Sequence, residues 1–568
     1  MFIRDSFRQD FYDVVRKSHV LIVVNNDVDG LCAARILMYL FSCDEVAYSL
    51  VPVTGWSMLL SAVEDYAEQA QCIVLINCGG NRSLNELGLS SDVKIFVIDS
   101  RRPFDLDNVY DGTSIRVLIN TSELEELKCP AASEIYANDD DNTSDEDDGA
   151  ESSRAIERIE QRAIKRARKK EWEKRRAGLL WEYYENSWYS VSSAVLLLEI
   201  AHSVGKSSSA LMWCAVVGLN SQLNDSMISL EAYTSVCIER MRSLIRKYAP
   251  RDSSVSLKGD DILRISFEKD LPIPMYSHWS LYDSMNCHEF FITQAQLWQQ
   301  RGEATMRHLL ATYGLTLSEC RQLFSAMEPT RRKEVFNILE KEMNYGFATF
   351  LASVGYCIRF SACDFARALS LRLEVGKGDS EEPYDRFSAT MNILSEFLEG
   401  HGETSSLFKA VESYKIFSKN VISHVFASIN QSHVLSTGSF FLLCMPQTDN
   451  FNFMLSRHCA FYFSNLLLKV FCSASRTRYR MLRPLVIAFP LSGDNTGWLL
   501  VTGVMPYNTE YADLNTKSFI GRAFDRVIER QSSIQVRQEH FDPSMILVKE
   551  DDRTRFFNGL QAILETVS

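Results

Sequence analysis

The sequence predicts an α/β protein that opens on a parallel sheet, passes through a mainly helical stretch and returns to a smaller α/β unit. Three observations carry that expectation. Residues 20–25, 72–77 and 93–99 are apolar runs that each stop at an Asp or Asn, as suits parallel strands covered on both faces. The intervening segments 31–41 and 57–70 are long enough for the crossover helices that parallel neighbours need. Strand-like runs then reappear at 437–446, 484–491 and 497–504, with a turn at Ser492-Gly493-Asp494-Asn495.

The first strand is the most informative. Residues 20–30 read Val-Leu-Ile-Val-Val-Asn-Asn-Asp-Val-Asp-Gly, and a helix-like apolar run follows. Ligands of open α/β sheets sit at the carboxyl ends of the strands. Two carboxylates there, Asp27 and Asp29, suit a divalent metal. The same residues equally suit a helix cap and a turn. The second strand ends at Asn77 before Cys78-Gly79-Gly80, and the third at Asp99 before Ser100-Arg101-Arg102-Pro103. Asn25, Asp27, Asp29, Asn77 and Asp99 are therefore expected to converge on one crevice.

This layout resembles the DHH phosphoesterase superfamily, which includes the single-strand exonuclease RecJ. Its first motif reads His-x-Asp-x-Asp-Gly, so the histidine falls on Asn25 and the aspartates on Asp27 and Asp29. The second-strand aspartate falls on Asn77, and the Asp-His-His motif on Asp99, Ser100 and Arg101. A further aspartate falls near Gln222, within Gly218-Leu219-Asn220-Ser221-Gln222. A two-metal phosphodiesterase site needs several anionic oxygens and imidazoles. Here three aspartates remain, the amides are weak ligands, and Arg101 and Arg102 carry permanent charge. A guanidinium is expected to neutralise the aspartates in place of a metal. The expected site is thus vestigial, without catalytic residues or cofactor, although a single weak Mg²⁺ stays open. The rival is an active, manganese-dependent single-strand nuclease.

Longer stretches narrow the resemblance. They are Glu-Trp-Glu at 171–173, then 213–222, 278–285, 484–492, 519–526 and 540–556. Together they are similar to the cell-division-cycle protein forty-five family, a RecJ-like branch of the superfamily. That resemblance implies a non-catalytic subunit of the replicative CMG helicase, in the nucleus. The implied partners are the Mcm hexamer, the GINS complex, replication-fork proteins such as polymerases, and single-stranded DNA.

Three regions are expected: a DHH-like α/β domain over 1–250, a mainly helical insertion over 251–430, and an α/β domain over 431–568 that resembles the RecJ companion domain (DHHA1). Residues 138–151 hold eight acidic residues and no large apolar one, and read as a disordered loop. Residues 154–176 carry eleven Lys or Arg among four Glu and read as a basic helix. Its cluster Lys165-Arg166-Ala167-Arg168-Lys169-Lys170 resembles a nuclear import signal, and a solvated helix face is the competing reading. From about 276 to 430 the pattern reads as all helical, with aromatics such as Trp279, Tyr282, Phe290 and Trp298 mostly in the core. Helices are expected at about 515–531 and 551–566.

Composition sets limits. The chain has 568 residues, 46% of them hydrophobic, and a net charge of −13. A protein coating duplex DNA with its whole surface would be basic, so any DNA contact must follow a local basic path. The 14 cysteines show no C-x-x-C, and the N-terminal stretch is charged throughout rather than signal-like. Reduced thiols in an intracellular compartment are expected. No apolar run reaches the roughly 18 residues of a membrane span. Gly205-Lys206-Ser207 resembles the end of a phosphate loop, but Ile200 stands where the motif needs glycine.

Overall fold

Apolar runs buried on both faces dictate the first layer. Strands β1 (Phe2–Ile3), β2 (Val20–Asn25), β3 (Tyr48–Val53), β4 (Cys72–Ile76), β5 (Lys94–Ile98) and β7 (Ile115–Leu118) form a six-stranded sheet in the order β1-β7-β5-β4-β2-β3. Every pairing in it is parallel. The short β6 (Arg101–Arg102) pairs instead with β8 (Trp188–Tyr189). The structure is a computed structural model. It describes residues 1–4, 6–66, 69–89, 92–136, 152–241, 244, 247, 263–343, 346–354, 358–376, 381–400, 405–446, 453–474, 483–506 and 517–567. The acidic stretch 138–151 lies outside the described residues.

Alternation divides the sheet between two cores. Val20, Ile22 and Val24 face one, while Leu21 and Val23 face the other. On the first face pack α1 (Val28–Cys43), α4 (Ser193–Ser203) and α5 (Ser209–Asn224). On the second pack α2 (Trp56–Tyr66) and the end of α3 (Ser152–Tyr184), through residues such as Leu59, Val63 and Tyr183. The basic segment 154–176 is helical as part of α3, and Lys165 to Lys170 are exposed.

The stretch expected to be all helical is not. Within it lie β10 (Ala348–Val354) and β11 (Ile358–Ser361), which join β9 (Leu263–Lys269), on the short strand that the alternation at 261–267 predicts, in an antiparallel sheet ordered β11-β10-β9. A run as short as Ala348–Val354 cannot be told from a helical turn by periodicity. Its partner β9 decides the matter, with Phe350 opposite Phe267. Residues 271–343 between these strands are helical and enclose a separate core around Leu281, Phe291, Met306 and Leu339. The remainder, α6 (Ala362–Glu374), α7 (Pro383–Leu398) and α8 (Ser405–Asn430), packs back onto the first core. There Trp213 of α5 meets Phe365 and Phe397, with ring centroids 5.6 and 5.7 Å away.

The final unit is a six-stranded sheet ordered β12-β13-β14-β15-β17-β16. Its strands are β12 (Leu435–Ser436), β13 (Phe441–Cys444), β14 (Leu485–Pro490), β15 (Trp498–Val504), β16 (Val536–Arg537) and β17 (Met545–Lys549). Helix α9 (Arg457–Ala474) covers one face and continues the first core, while α10 (Ile520–Arg530) and α11 (Arg553–Val567) enclose a core on the other. No described helix is long and apolar enough to cross a membrane.

Trp213 is fully buried, and its Nε1–H has no acceptor among the described residues. Trp213→Ala is expected to cost about 3–5 kcal/mol through the cavity it leaves. Trp213→Phe should cost far less, because it also removes the orphaned N–H. Urea denaturation of both variants checks the difference.

Candidate functional site

The register levels the ends of the three central strands. Val24 pairs with Ile76, and Ile76 with Ile98. Asn25, Asn77 and Asp99 therefore emerge side by side at the carboxyl edge, with Asp27 and Asp29 on the turn into α1. Asp27 is the N-cap of α1, and its Oδ1 accepts the Gly30 N–H at 2.6 Å. Both the capping and the convergence expected of these residues are present together.

Asp29 is buried, and both its oxygens are saturated. Oδ1 accepts from the Ser192 hydroxyl and from the Ala194 N–H at 3.1 Å. Oδ2 accepts from the Ser193 N–H and from Asn77 Nδ2, each at 2.9 Å. A carboxylate offers about four lone-pair sites, so none is left. Two of the donors are the first N–H groups of α4, where a helix favours negative charge. Burial, with Asp27 nearby, still raises the Asp29 pKa above the ordinary carboxylate range.

Asn77 links the group. It sits at φ +52°, in the left-handed region that Asn tolerates better than most residues. Its Nδ2 also reaches Asp27 Oδ1 at 3.1 Å, and its Oδ1 accepts from Ser193 Oγ at 2.6 Å and from the Ser100 N–H at 3.3 Å. Asn25 Nδ2 donates to Asp27 Oδ2. An aspartate at 77 could give neither N–H.

Arg101 supplies the positive charge. Its Nη1 donates to the Asn77 carbonyl at 2.6 Å and to Asp99 Oδ1 at 3.4 Å, and its Nη2 lies 3.6 Å from Asp27 Oδ2. The Arg101 N–H donates to Asp99 Oδ1 at 2.9 Å. Burial opposes the charge, yet Asp99, Tyr189 and Asp27 outweigh it and raise the guanidinium's pKa. Arg102 turns away. It donates to the carbonyls of Asp99 and Arg101, pairs with Glu123 at 2.8 Å, and stacks on Phe104.

These residues do not fit a pair of metal ions. The oxygens of Asp29 are filled by N–H and O–H donors, and a guanidinium lies against Asp27 and Asp99. Among the described residues no group of three or more His, Cys, Asp or Glu could hold a metal. Gln222 stands apart from the hydrogen-bonded group: its Nε2 donates to the Ser190 carbonyl at 3.3 Å, and its Oε1 has no donor among the described residues. One turn earlier, α5 approaches Asp29 through Gly218, where a Cβ would come within 2.7 Å of Oδ1.

A second buried network joins the first and last units and was not expected from the sequence. Asp542 Oδ2 accepts from Tyr189 at 2.7 Å and from Arg457 Nε and Nη2 at 3.1 and 2.9 Å. Arg457 Nη1 reaches Asp225 at 3.4 Å, and His458 Nδ1 meets the same carboxylate at 2.5 Å. Burial would push the Asp542 carboxyl up, but Arg457, Ser544 and Tyr189 hold it well below the usual range. Nearby, Asn81 Nδ2 donates to the Phe541 carbonyl, and Trp56 packs on the Phe541 ring. Ser192, an N-cap ahead of an apolar helix, was recoverable from its local pattern. Asp542 and Arg457, 85 residues apart, carry no local signal of their pairing. Between the units lies a cavity of about 670 Å³.

Comparison with known proteins bears on this geometry. The sequence matches the family described as CDC45 over residues 20–148 and 120–563. It is 32% identical over 580 residues to the human cell division control protein 45 homolog, covering 99% of this chain and all of that one. The Schizosaccharomyces pombe homolog is 28% identical over 430 residues, 66% of each chain. The crystal structure of CDC45 from Entamoeba histolytica shares the fold, with a TM-score of 0.67 at 16% identity and full coverage of both chains.

Two outcomes are expected. Arg101→Met should destabilise the protein by about 3–5 kcal/mol, because it leaves buried carboxylates unmatched. Adding Asp99→Asn should return part of that loss in a double-mutant cycle. For Asp542, the folded pKa is depressed, so its contribution is present above the unfolded value of about 3.9 and is lost as pH falls below it. Asp542→Asn should cost about 3 kcal/mol at neutral pH and flatten the stability profile between about pH 5 and pH 3. Denaturation followed across that range checks both.

Proposed function

The chain belongs to the CDC45 family of replication factors, and on that premise we propose that it is a non-hydrolysing subunit of the eukaryotic replicative helicase, the CMG assembly. It braces the Mcm ring against the GINS complex and guards a single strand beside the cleft between its first and last units. It acts in the nucleus during initiation and elongation, alongside other replication-fork proteins such as polymerases.

The observation that carries the non-hydrolysing part is the saturation of Asp29. Hydrolysis of a phosphodiester by metal ions requires carboxylate oxygens open to cations, and here N–H and O–H donors occupy them. The rival reading, a manganese-dependent nuclease, requires those bonds to be exchanged for metal bonds with Arg101 displaced. The bracing role finds support in packing. One apolar cluster runs from Ile3 to Leu547 and takes in elements of all three regions. Close-packed interiors transmit strain, so a body of this kind passes load between partners on separate faces. Nuclear entry finds support in the exposure of Lys165 to Lys170 on α3.

Reconstitution tests the proposal. With ring and GINS present, ATP saturating and a forked duplex as substrate, adding this chain should stimulate unwinding; unchanged unwinding would sink the helicase assignment. The chain alone should release no nucleotides from single-stranded DNA with manganese. Release that disappears in the Asp27→Ala, Asp29→Ala double variant would establish the nuclease instead.

A further inference from the structure

At the edge of the first domain a partly buried arginine reaches a serine hydroxyl at the surface. Arg240 closes the helix Leu230–Glu239, and its Nη2 donates to Ser122 Oγ at 3.5 Å. The same nitrogen lies 3.6 Å from Glu123 Oε1, and Nη1 lies 3.8 Å from Glu199 Oε1 on α4. A charge-assisted hydrogen bond from a guanidinium to a carboxylate runs at about 2.7–2.9 Å, so neither contact is one. Nη1 is buried and makes no hydrogen bond among the described residues. Glu123 has a closer partner in Arg102, at 2.8 Å. Burial raises the pKa of Glu199, and Arg240 opposes that shift only in part. The fork of Arg240 is therefore unfilled.

The serine carries its own signal. Residues 122–126 read Ser-Glu-Leu-Glu-Glu, with acids at the first, third and fourth positions after the hydroxyl. Ser122, Glu125 and Glu126 are exposed. Kinases select substrates by charge pattern, and acids following a serine are what a basic substrate groove reads. A phosphate on Ser122 would add about −1.5 to −2 charges and three strong acceptor oxygens. Those oxygens lie one bond beyond the phosphorus on Oγ, within reach of both Nη1 and Nη2, which is the two-pronged geometry that a guanidinium prefers. Like charge opposes the phosphate only weakly. Glu123 is matched by Arg102, and the exposed Glu125 and Glu126 are screened by salt.

We propose that Ser122 is a phosphorylation site for an acid-directed kinase, and that Arg240 is the receptor for the phosphate. Ser122 Oγ attacks the γ-phosphorus of ATP. The Oγ–P bond forms, the bond from that phosphorus to ADP breaks, and the hydroxyl proton passes to the kinase's base. The phosphate then fastens the helix Thr121–Leu127, which follows β7, to the end of the helix Leu230–Glu239 beside α4.

The test uses the full chain carrying Thr143→Ala and Ser144→Ala, because those two residues also stand among acids. This parent is incubated with a purified casein-type, acid-directed kinase and ATP, and the modified residues are located by tandem mass spectrometry. Phosphate should appear at Ser122. Phosphorus NMR then follows the signal that Ser122→Ala lacks. The second ionisation of a phosphoserine ordinarily falls at about pH 6, and beside Arg240 its midpoint should drop by about one unit. Arg240→Gln should return it to the ordinary value. Arg240→Lys keeps the charge without the fork and should return it part of the way. Amide exchange across 121–127 should slow on phosphorylation in the parent and not in Arg240→Gln. If Arg240→Gln does not fold, the comparison of the parent with Arg240→Lys decides. No phosphate at Ser122 overturns the site. Phosphate at Ser122 with one midpoint shared by the parent and the arginine variants overturns Arg240 as its receptor.

Discussion

Asp29 is a carboxylate sealed at the end of a parallel sheet, and a buried charge must be matched by donors or by opposite charge. Its four acceptor positions are met by Ser192, Ser193, Ala194 and Asn77. Those bonds settle where α4 begins, since the helix's first N–H groups point at the carboxylate. They also settle how closely α5 comes, because only a residue without Cβ fits at Gly218. Asn77 is held in a left-handed conformation by the same group. Arg101 then balances the remaining charge of Asp27 and Asp99. The sheet, both covering helices and the β6–β8 pair thus meet at one hydrogen-bonded cluster.

Tyr189 extends that constraint to the last unit. Two guanidinium groups lie over its ring, that of Arg101 at 5.9 Å and that of Arg457 at 5.4 Å. Its hydroxyl binds Asp542. Two charge networks, one at the strand ends and one between units, therefore share an aromatic spacer. Such an arrangement opposes free hinge motion between the units.

Much of this was readable in the residues. The three apolar runs ending at Asn25, Asn77 and Asp99 became adjacent parallel strands, because burial on both faces leaves few other solutions. The guanidinium expected beside the aspartates is Arg101, within reach of both Asp27 and Asp99. Other features were hidden for physical reasons. Strand β10 is too short to show a period, and only its pairing with β9 defines it. Helix α9 (Arg457–Ala474) and strand β17 (Met545–Lys549) were not anticipated, although both are amply apolar, because apolar runs of that kind do not announce their type. The Arg457–Asp542 pair arises from tertiary packing. Gln222 was placed by analogy with a family aspartate, yet it bonds the Ser190 carbonyl instead, and the close contact with Asp29 belongs to Gly218.

The amides at 25 and 77 supply donors that carboxylates could not. Exchanging Asn77 for Asp would remove the N–H bonds to Asp27 and Asp29 and set a further negative charge against both. Exchanging Arg101 for a neutral ligand would leave Asp99 and Asp27 uncompensated. Each single step toward a metal site therefore destabilises the fold before any metal affinity exists to offset it, since buried like charges disfavour one another strongly. Only several simultaneous changes, with α4 released from Asp29, would reopen the oxygens. The present residues are mutually dependent, and that dependence holds the site in its donor-saturated form. The cluster thus acts in this chain as the joint on which its first domain is built.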